Sequence, residues 1–401
     1  KQYRSIVESR RVTLEKYNCT LQISPSIAEI KDDWRVLSHR NIYADPDYLS
    51  LLERKGPLGY KYVYAIIYFD GKPVTALYFQ MKRIELAKDF RLHTHSNNFL
   101  KKINLAFTKQ LFKLINQNLL IFGNVLLTGE YAFGTKSEFE LTNHLLNHVF
   151  SHVKSYFKEE YSLPIKAILC KDFYREGVHK EISFSVPGFY EFKVQPDMIM
   201  ALDPQWKQFD DFLKAVKSKY RVKYKKVMRQ AESLDYREMD LEMLEQYNDE
   251  MYALYEATAK RATFSLFYLH PKYFLGLKEC FADKIRITGI FRDGEILGFY
   301  TYVINGEYGD AHFIGYDVER NSDYQIYFNI LLGLIKKAID TKVKFLNLSR
   351  TALEIKSSVG AEPHDMFIYL RHENGFINRI MPMILDRVVP KLDWTQRSPF
   401  K

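Results

Sequence analysis

The chain has 401 residues, enough for two ordinary domains with substantial cores, and 47% of them are apolar, which excludes a disordered chain. Its formal charge of +9 and pI near 9.0 suit anionic partners (phosphorylated cofactors, acidic carrier proteins, anionic lipid headgroups or nucleic acid) without selecting one. Cys19, Cys170 and Cys280 lie far apart with no CxxC pair, which argues against a disulfide framework and a structural zinc site, and no apolar run reaches the ~18 residues of a membrane span.

The opening KQYRSIVESRR is charged and lacks the apolar core of a signal peptide, so the expectation is a cytoplasmic chain, at most peripheral to the inner face of a membrane. The 29 Tyr and 29 Phe against 3 Trp predict aromatic cores, and also suit a surface that meets lipid or an extended ligand.

In chain order, the first predicted helix contains Asp47-Tyr48-Leu49 and Leu51-Leu52. Residues 62–80 (YVYAIIYFDGKPVTALYFQ) then read as a hairpin turning on Asp70-Gly71, because glycine accepts the positive φ that a tight turn needs. An amphipathic helix near 99–117 and a strand at 124–129 (NVLLTG) follow. His144, His148 and His152 fall on one helix face, but no carboxylate or thiol completes a ligand set, so no metal is expected. A boundary is placed at 196–204, where Asp203-Pro204 has the pattern of a helix N-cap and first residue. The expected domains are therefore 1–200 and 201–401.

The second half begins with a basic segment, 212–230, in which Lys214, Lys217, Lys219, Arg221, Lys223, Lys225, Lys226 and Arg229 are uninterrupted by acid. Apolar residues recur at helical spacing, so one face is buried and cations crowd the other, which gains from an anionic partner. The alternative is a solvated helix face. Next come a helical stretch over 241–261 and a second hairpin, 287–304 (ITGIFRDGEILGFYTYVI), turning on Asp293-Gly294. A strand ends at Gly315-Tyr316-Asp317, a loop without glycines follows, and a helix starts near Ser322-Asp323. A strand at 344–350 closes the series, followed by a short loop with Glu354, Lys356 and Gly360.

Helix, hairpin, helix, strand thus occurs twice, which predicts an internal duplication: an α/β (α+β) protein of two similar units, each a mixed sheet flanked by helices. A lysine just past a strand end can set its ammonium over a cleft and stabilise charge developing on a carbonyl oxygen. The alternative for Lys356 is a surface pair with Glu354, and for Tyr316 and Asp317 a strand-end turn. His312, inside a strand, has a core or edge histidine as its alternative.

The C-terminal half resembles the GNAT-like acyltransferases that include the Fem-type aminoacyl transferases and the predicted peptidoglycan-biosynthesis N-acyltransferases. LKAVKSKYRVKYKKV is similar to that group's S-x-K-x-R-x-x-x-K helix, DGEILGFYTYV to its hairpin, FIGYDVERNSDYQIYFNILL to the elements lining its acceptor cleft, and IKSSVG (355–360) to its [FI]-K-x-x-[FV]-G pattern. Trp34 and Pro46-Asp47-Tyr48-Leu49 look like the opening of such proteins. The resemblance implies two tandem GNAT-like units, with the chemistry in the C-terminal one: transfer of an acyl group from a thioester (acyl-CoA or acyl carrier protein, a co-substrate rather than a tightly bound cofactor) to a primary amine. The aromatic content, the basic charge and the C-terminal FINRIMPMILDRVV stretch suit a long-chain donor and an aminolipid, sulfonolipid or sphingoid base as acceptor.

It further implies a substrate-contacting, catalytic role for Lys356 and cleft roles for Arg350, Tyr316 and Tyr324. Tyr316, Asp317 and His312 are the nearest candidates for orienting or deprotonating the amine, Glu354 joins the substrate-binding set from the loop beside Lys356, and Lys219, Arg221 and Lys225 of the basic helix are expected to hold the donor's phosphates or its carrier protein. The implied partners are an acidic acyl carrier protein or an anionic membrane surface, and not DNA. Fem-like aminoacyl transfer from tRNA to a cell-wall precursor is the runner-up, although Asn347-Leu348-Ser349-Arg350 replaces that group's Asp-Phe-Gly-Gly-like strand end and its coiled-coil arm has no counterpart. A non-catalytic GNAT-fold binding module is the third reading.

Overall fold

The computed structural model describes residues 7–38, 41–84, 117–136, 138–174, 184–261, 267–388 and 394–401. The chain forms two compact units. The first comprises residues 1–194, 263–267 and 365–391; the second comprises 195–262, 268–364 and 392–401.

In the first unit, β1 (Arg10–Leu14), β2 (Cys19–Ser24), β3 (Tyr60–Phe69), β4 (Lys72–Arg83), β5 (Asn118–Phe122) and β7 (Ala167–Tyr174) form a sheet in that order, with the short β6 (Phe133–Thr135) on β4. Neighbours run antiparallel except β5 and β7, which are parallel. One face packs on helix α3 (Asn143–Tyr161) through Leu77, Phe79, Phe122, Val149 and Phe150. The α3 histidines thus share their helix with a buried stripe, and among the described residues no group of His, Cys, Asp and Glu could hold a metal. The short α1 (Lys31–Arg35) and α2 (Pro46–Lys55) also belong to this unit; Asp45 caps α2, its side chain accepting from the Asp47 N–H.

The second unit runs through α4 (Phe209–Ala215), α5 (Ser218–Gln230), β9 (Asp235–Glu238), α6 (Leu241–Gln246), α7 (Asn248–Ala259), α8 (Tyr273–Cys280), β10 (Ile285–Arg292), β11 (Glu295–Asn305), β12 (Tyr308–Tyr316), α9 (Asn321–Tyr324), α10 (Ile326–Asp340), β13 (Phe345–Asn347) and α11 (Leu353–Ser357). Strands β9 to β13 pair in sequential order, all antiparallel except β12 with β13. Beyond β13 lies β8 (Tyr190–Ala201), antiparallel to it. The corresponding place in the first unit, beyond β7, is taken by β14 (Glu362–His372), which precedes α12 (Gly375–Val388). The two units therefore repeat one pairing scheme, and the strand that completes each sheet comes from the other half of the sequence.

The hairpins repeat in detail. Asp70-Gly71 and Asp293-Gly294 all have positive φ (48°, 72°, 51° and 85°), as a two-residue turn of the hairpin-favouring hand requires. Each hairpin shifts register by one residue at the same distance from its turn, between Ile67 and Tyr68 and between Ile290 and Phe291.

Several local expectations are revised. The strand expected at 124–129 lies earlier, at β5, because Gly123 at φ 129° turns the chain out of the sheet. The first-unit counterpart of α10 is α3, between the two parallel strands; the helix expected near 99–117 lies outside the described residues. Asp203-Pro204 makes a turn, the Asp203 carboxylate accepting from the Gln205 N–H. The helix cap falls on Gln208, with Asp211 completing a capping box. The basic segment divides into α4 and α5, because Val216 is extended and bridges to Phe400.

Candidate functional site

Strands β12 and β13 pair only at Tyr308–Phe345, Gly309–Leu346 and Asp310–Asn347. Beyond that point β12 continues six residues to Tyr316, about 20 Å at ~3.3 Å per residue, while β13 stops and the chain turns away. The turn is strained. Ser349, Thr351 and Ala352 all lie in the left-handed region (φ 61°, 69° and 47°), each at a cost of about 1–3 kcal/mol for a residue that bears a side chain.

The kink is held by polar groups. Asn347 Oδ1 accepts from the Ser349 N–H at 2.6 Å, and Asn347 Nδ2 donates to Asp197 Oδ2 at 3.0 Å; Asp197, on β8, is fully buried. Ser349 O accepts from the Met198 N–H. Lys356, on α11, folds back over the kink, and its Nζ donates to Ser349 O at 3.1 Å and to Arg350 O. Only 5% of Lys356 is exposed, and burial lowers its pKa to about 7 against the opposing pull of the Asp197 charge. An amine in that range exchanges its proton near neutral pH and meets a carbonyl oxygen as a strong hydrogen-bond donor.

The other expected site residues fall into separate groups. Strand β12 carries a bulge, since Tyr302 opposes Ala311 while Tyr300 opposes Ile314. His312 and Phe313 consequently face α8: His312 Nε2 lies 2.7 Å from the Tyr273 hydroxyl, and Phe313 packs on Tyr255, Tyr273 and Phe274. Burial lowers the His312 pKa to about 3. Ile314 and Tyr316 pack instead on the core built around α10, with Tyr316 5.8 Å from the Tyr327 ring. Burial also raises the Tyr316 pKa. His312 and Tyr316 therefore serve different faces of the sheet.

Asp317 is engaged in the turn, where its carboxylate accepts from the Glu319 and Arg320 N–H groups at 2.9 and 3.0 Å. Asn321 accepts from the Tyr327 N–H, so a side chain takes one main-chain donor at the entrance to α10 that a glycine-rich loop would leave for a pyrophosphate. Tyr324 ends α9 with the Arg292 guanidinium over its ring at 5.0 Å. Arg350 contributes its carbonyl to Lys356, and the exposed Glu354 pairs with Arg397 rather than with Lys356. On α5, Lys219 and Lys225 are exposed and Arg221 is half-buried.

The first unit repeats the kink. Its parallel strands last pair at Phe122–Cys170, and two residues on Asp172 has φ 62°, as Ser349 follows Asn347 by two. Here Lys171 donates to Leu127 O and to the buried Asp172 carboxylate, so its charge is neutralised at contact. This unit also holds a cavity of about 950 Å³ lined by Trp34, Tyr43, Tyr78, Tyr131, Lys136 and Thr142 among others, and by none of the expected site residues.

Asp197 was not singled out by sequence, although a lone acid in the apolar run PDMIMAL is the kind of buried polar outlier that marks a site. The positive-φ kink carries no glycine and left no sequence signal.

The repeated sheet, with one parallel pair per unit and helices on its faces, is a tandem GNAT-like fold. Among solved structures the chain is similar to FemX, at a TM-score of 0.52 and 10% identity over 89% of this chain and 98% of that one. It also matches a tandem GNAT protein from the clavulanic acid biosynthesis pathway, at a TM-score of 0.49 and 9% identity over 91% of this chain and 98% of that one. No protein-family profile matches the sequence, and no curated protein matches it.

Proposed function

We propose that the chain is an N-acyltransferase that moves an acyl group from a thioester to a primary amine, with its chemistry in the second unit. The observation that carries this reading is the buried Lys356 ammonium poised on main-chain carbonyls at the parting of β12 and β13, with a pKa of about 7. The amine nitrogen attacks the thioester carbonyl and an oxyanion forms. Lys356 donates to that oxygen, the C–S bond breaks, and the thiolate leaves with the proton the amine gives up. Lys171 in the first unit is paired with a carboxylate, which supports a single reactive copy.

Tyr316, Asp317 and Tyr324 at the end of β12 shape the acceptor side, with Arg350 and Glu354 on the kink and its helix. His312, neutral at pH 7, orients through Tyr273 rather than taking the proton. In the loop leading to α10 the Glu319 and Arg320 N–H groups are taken by Asp317 and the Tyr327 N–H by Asn321, which favours holding the donor's phosphates, or an acidic acyl carrier protein, on Lys219, Arg221 and Lys225 of α5. The 58 Tyr and Phe residues and the basic charge suit a lipid-related amine handled at an anionic membrane surface.

The test is a mass-spectrometric comparison of total lipids from cells expressing the wild type or Lys356→Ala. An N-acylated amine formed only by the wild type is expected, and it would name acceptor and chain together. Identical lipid profiles would overturn the lipid reading. Transfer abolished by RNase would replace the thioester with an aminoacyl-tRNA.

A further inference from the structure

Helix α11 has five residues, too few to hold itself together in water, and it follows a strained kink. Its position, and with it that of Lys356, must come from what packs on it. Leu353, Val359 and Ala361 seat its two ends in the core around α10, and two neighbours hold its polar groups. Tyr224 of α5 donates its hydroxyl to Ser358 O at 2.6 Å. In the segment 394–401, the Arg397 N–H donates to Ser357 Oγ at 3.0 Å, and the Arg397 guanidinium holds Glu354. The Phe400 ring fills the space over Gly360, where a side chain's Cβ would stand 2.4 Å from a ring carbon.

The segment is itself anchored away from α11. The Lys217 N–H donates to Pro399 O at 2.8 Å, Lys217 Nζ donates to Ser398 O, and Phe400 bridges Val216 and packs on Trp206 and Phe212. Gly360 has φ 108°, so both the backbone and the ring above it require glycine there.

We propose that residues 394–401 are a strap that sets Lys356 on the kink, with Arg397 and Phe400 as positioning residues for the transfer. This rests on the role assigned to Lys356 above. The ring on Gly360 fixes the end of α11, the Arg397 N–H fixes Ser357 beside Lys356, and together they keep water from the ammonium. The charges facing this region are Asp197 from β8, Glu354 on α11, Arg397 on the strap and Lys223 on α5, whose own pKa burial lowers.

The test is the pH dependence of acetylation of Lys356 by an N-hydroxysuccinimide ester in the full chain, read by peptide mass spectrometry. In the wild type Lys356 is protected and titrates near 7. In Phe400→Ala its apparent pKa rises by about one unit or more toward the ordinary lysine value as water enters, and kcat for transfer falls about tenfold with KM little changed. Phe400→Tyr, which keeps a ring on Gly360, restores both. Ser357→Ala moves the profile in the same direction as Phe400→Ala without removing a core ring.

An unmoved Lys356 profile in folded Phe400→Ala and Ser357→Ala overturns the strap. A moved profile in a protein that transfers nothing upholds the strap as the holder of Lys356 and overturns the acyltransferase reading instead.

Discussion

Replacing Lys356 by Met tests whether the ammonium is held on the kink at the expense of stability. Burial lowers the Lys356 pKa from 10.5 to about 7, so between those values the unfolded chain holds a proton that the folded chain lacks. Stability therefore rises with pH across that window, and the full cost is felt below pH 7. At 1.36 kcal/mol per pKa unit the cost below pH 7 is about 5 kcal/mol, and about 3 kcal/mol of it is relieved between pH 6 and 9.5. Met fills a similar volume and carries no charge, so Lys356→Met lacks this dependence. Urea unfolding of both proteins at intervals from pH 6 to 9.5 should show the variant ahead by the largest margin at pH 6, with the margin closing by about 3 kcal/mol as pH rises. A margin that stays constant with pH would refute the claim that the folded protein holds a desolvated amine there.

Two further expectations concern the sheet that carries the site. His312 has its pKa lowered to about 3, so the folded state loses stability as pH falls from 6.5 toward 3; His312→Gln should remove about 2–3 kcal/mol of the loss between pH 6.5 and 4, measured by urea midpoints. Gly315 on β12 packs where a Cβ would meet the Tyr255 main-chain nitrogen at 2.5 Å, so Gly315→Ala must push α7 from the sheet. It should cost about 1–3 kcal/mol by the same measurement, and an unchanged midpoint would show the contact to be loose.

The sequence by itself determined the parts ruled by local geometry. The two Asp-Gly turns, α2 with its Pro46 start, and the amphipathic α10 follow from φ preference, capping and a 3.6-residue period, all acting within a few residues. Lys356 was found by its resemblance to a motif rather than by its surroundings, which lie 159 residues away at Asp197 and 41 away at Arg397. Only the tertiary structure decided that β8 and β14 complete the opposite sheets, because strand pairing is a long-range choice that no local pattern encodes. The bulge that parts His312 from Tyr316, the kink built without glycine, and the depressed lysine pKa likewise depend on which groups are brought close and which water is removed. A lysine's residue type gives it a charge; burial under a strap, over two carbonyls and near one carboxylate, sets the pH at which it carries it.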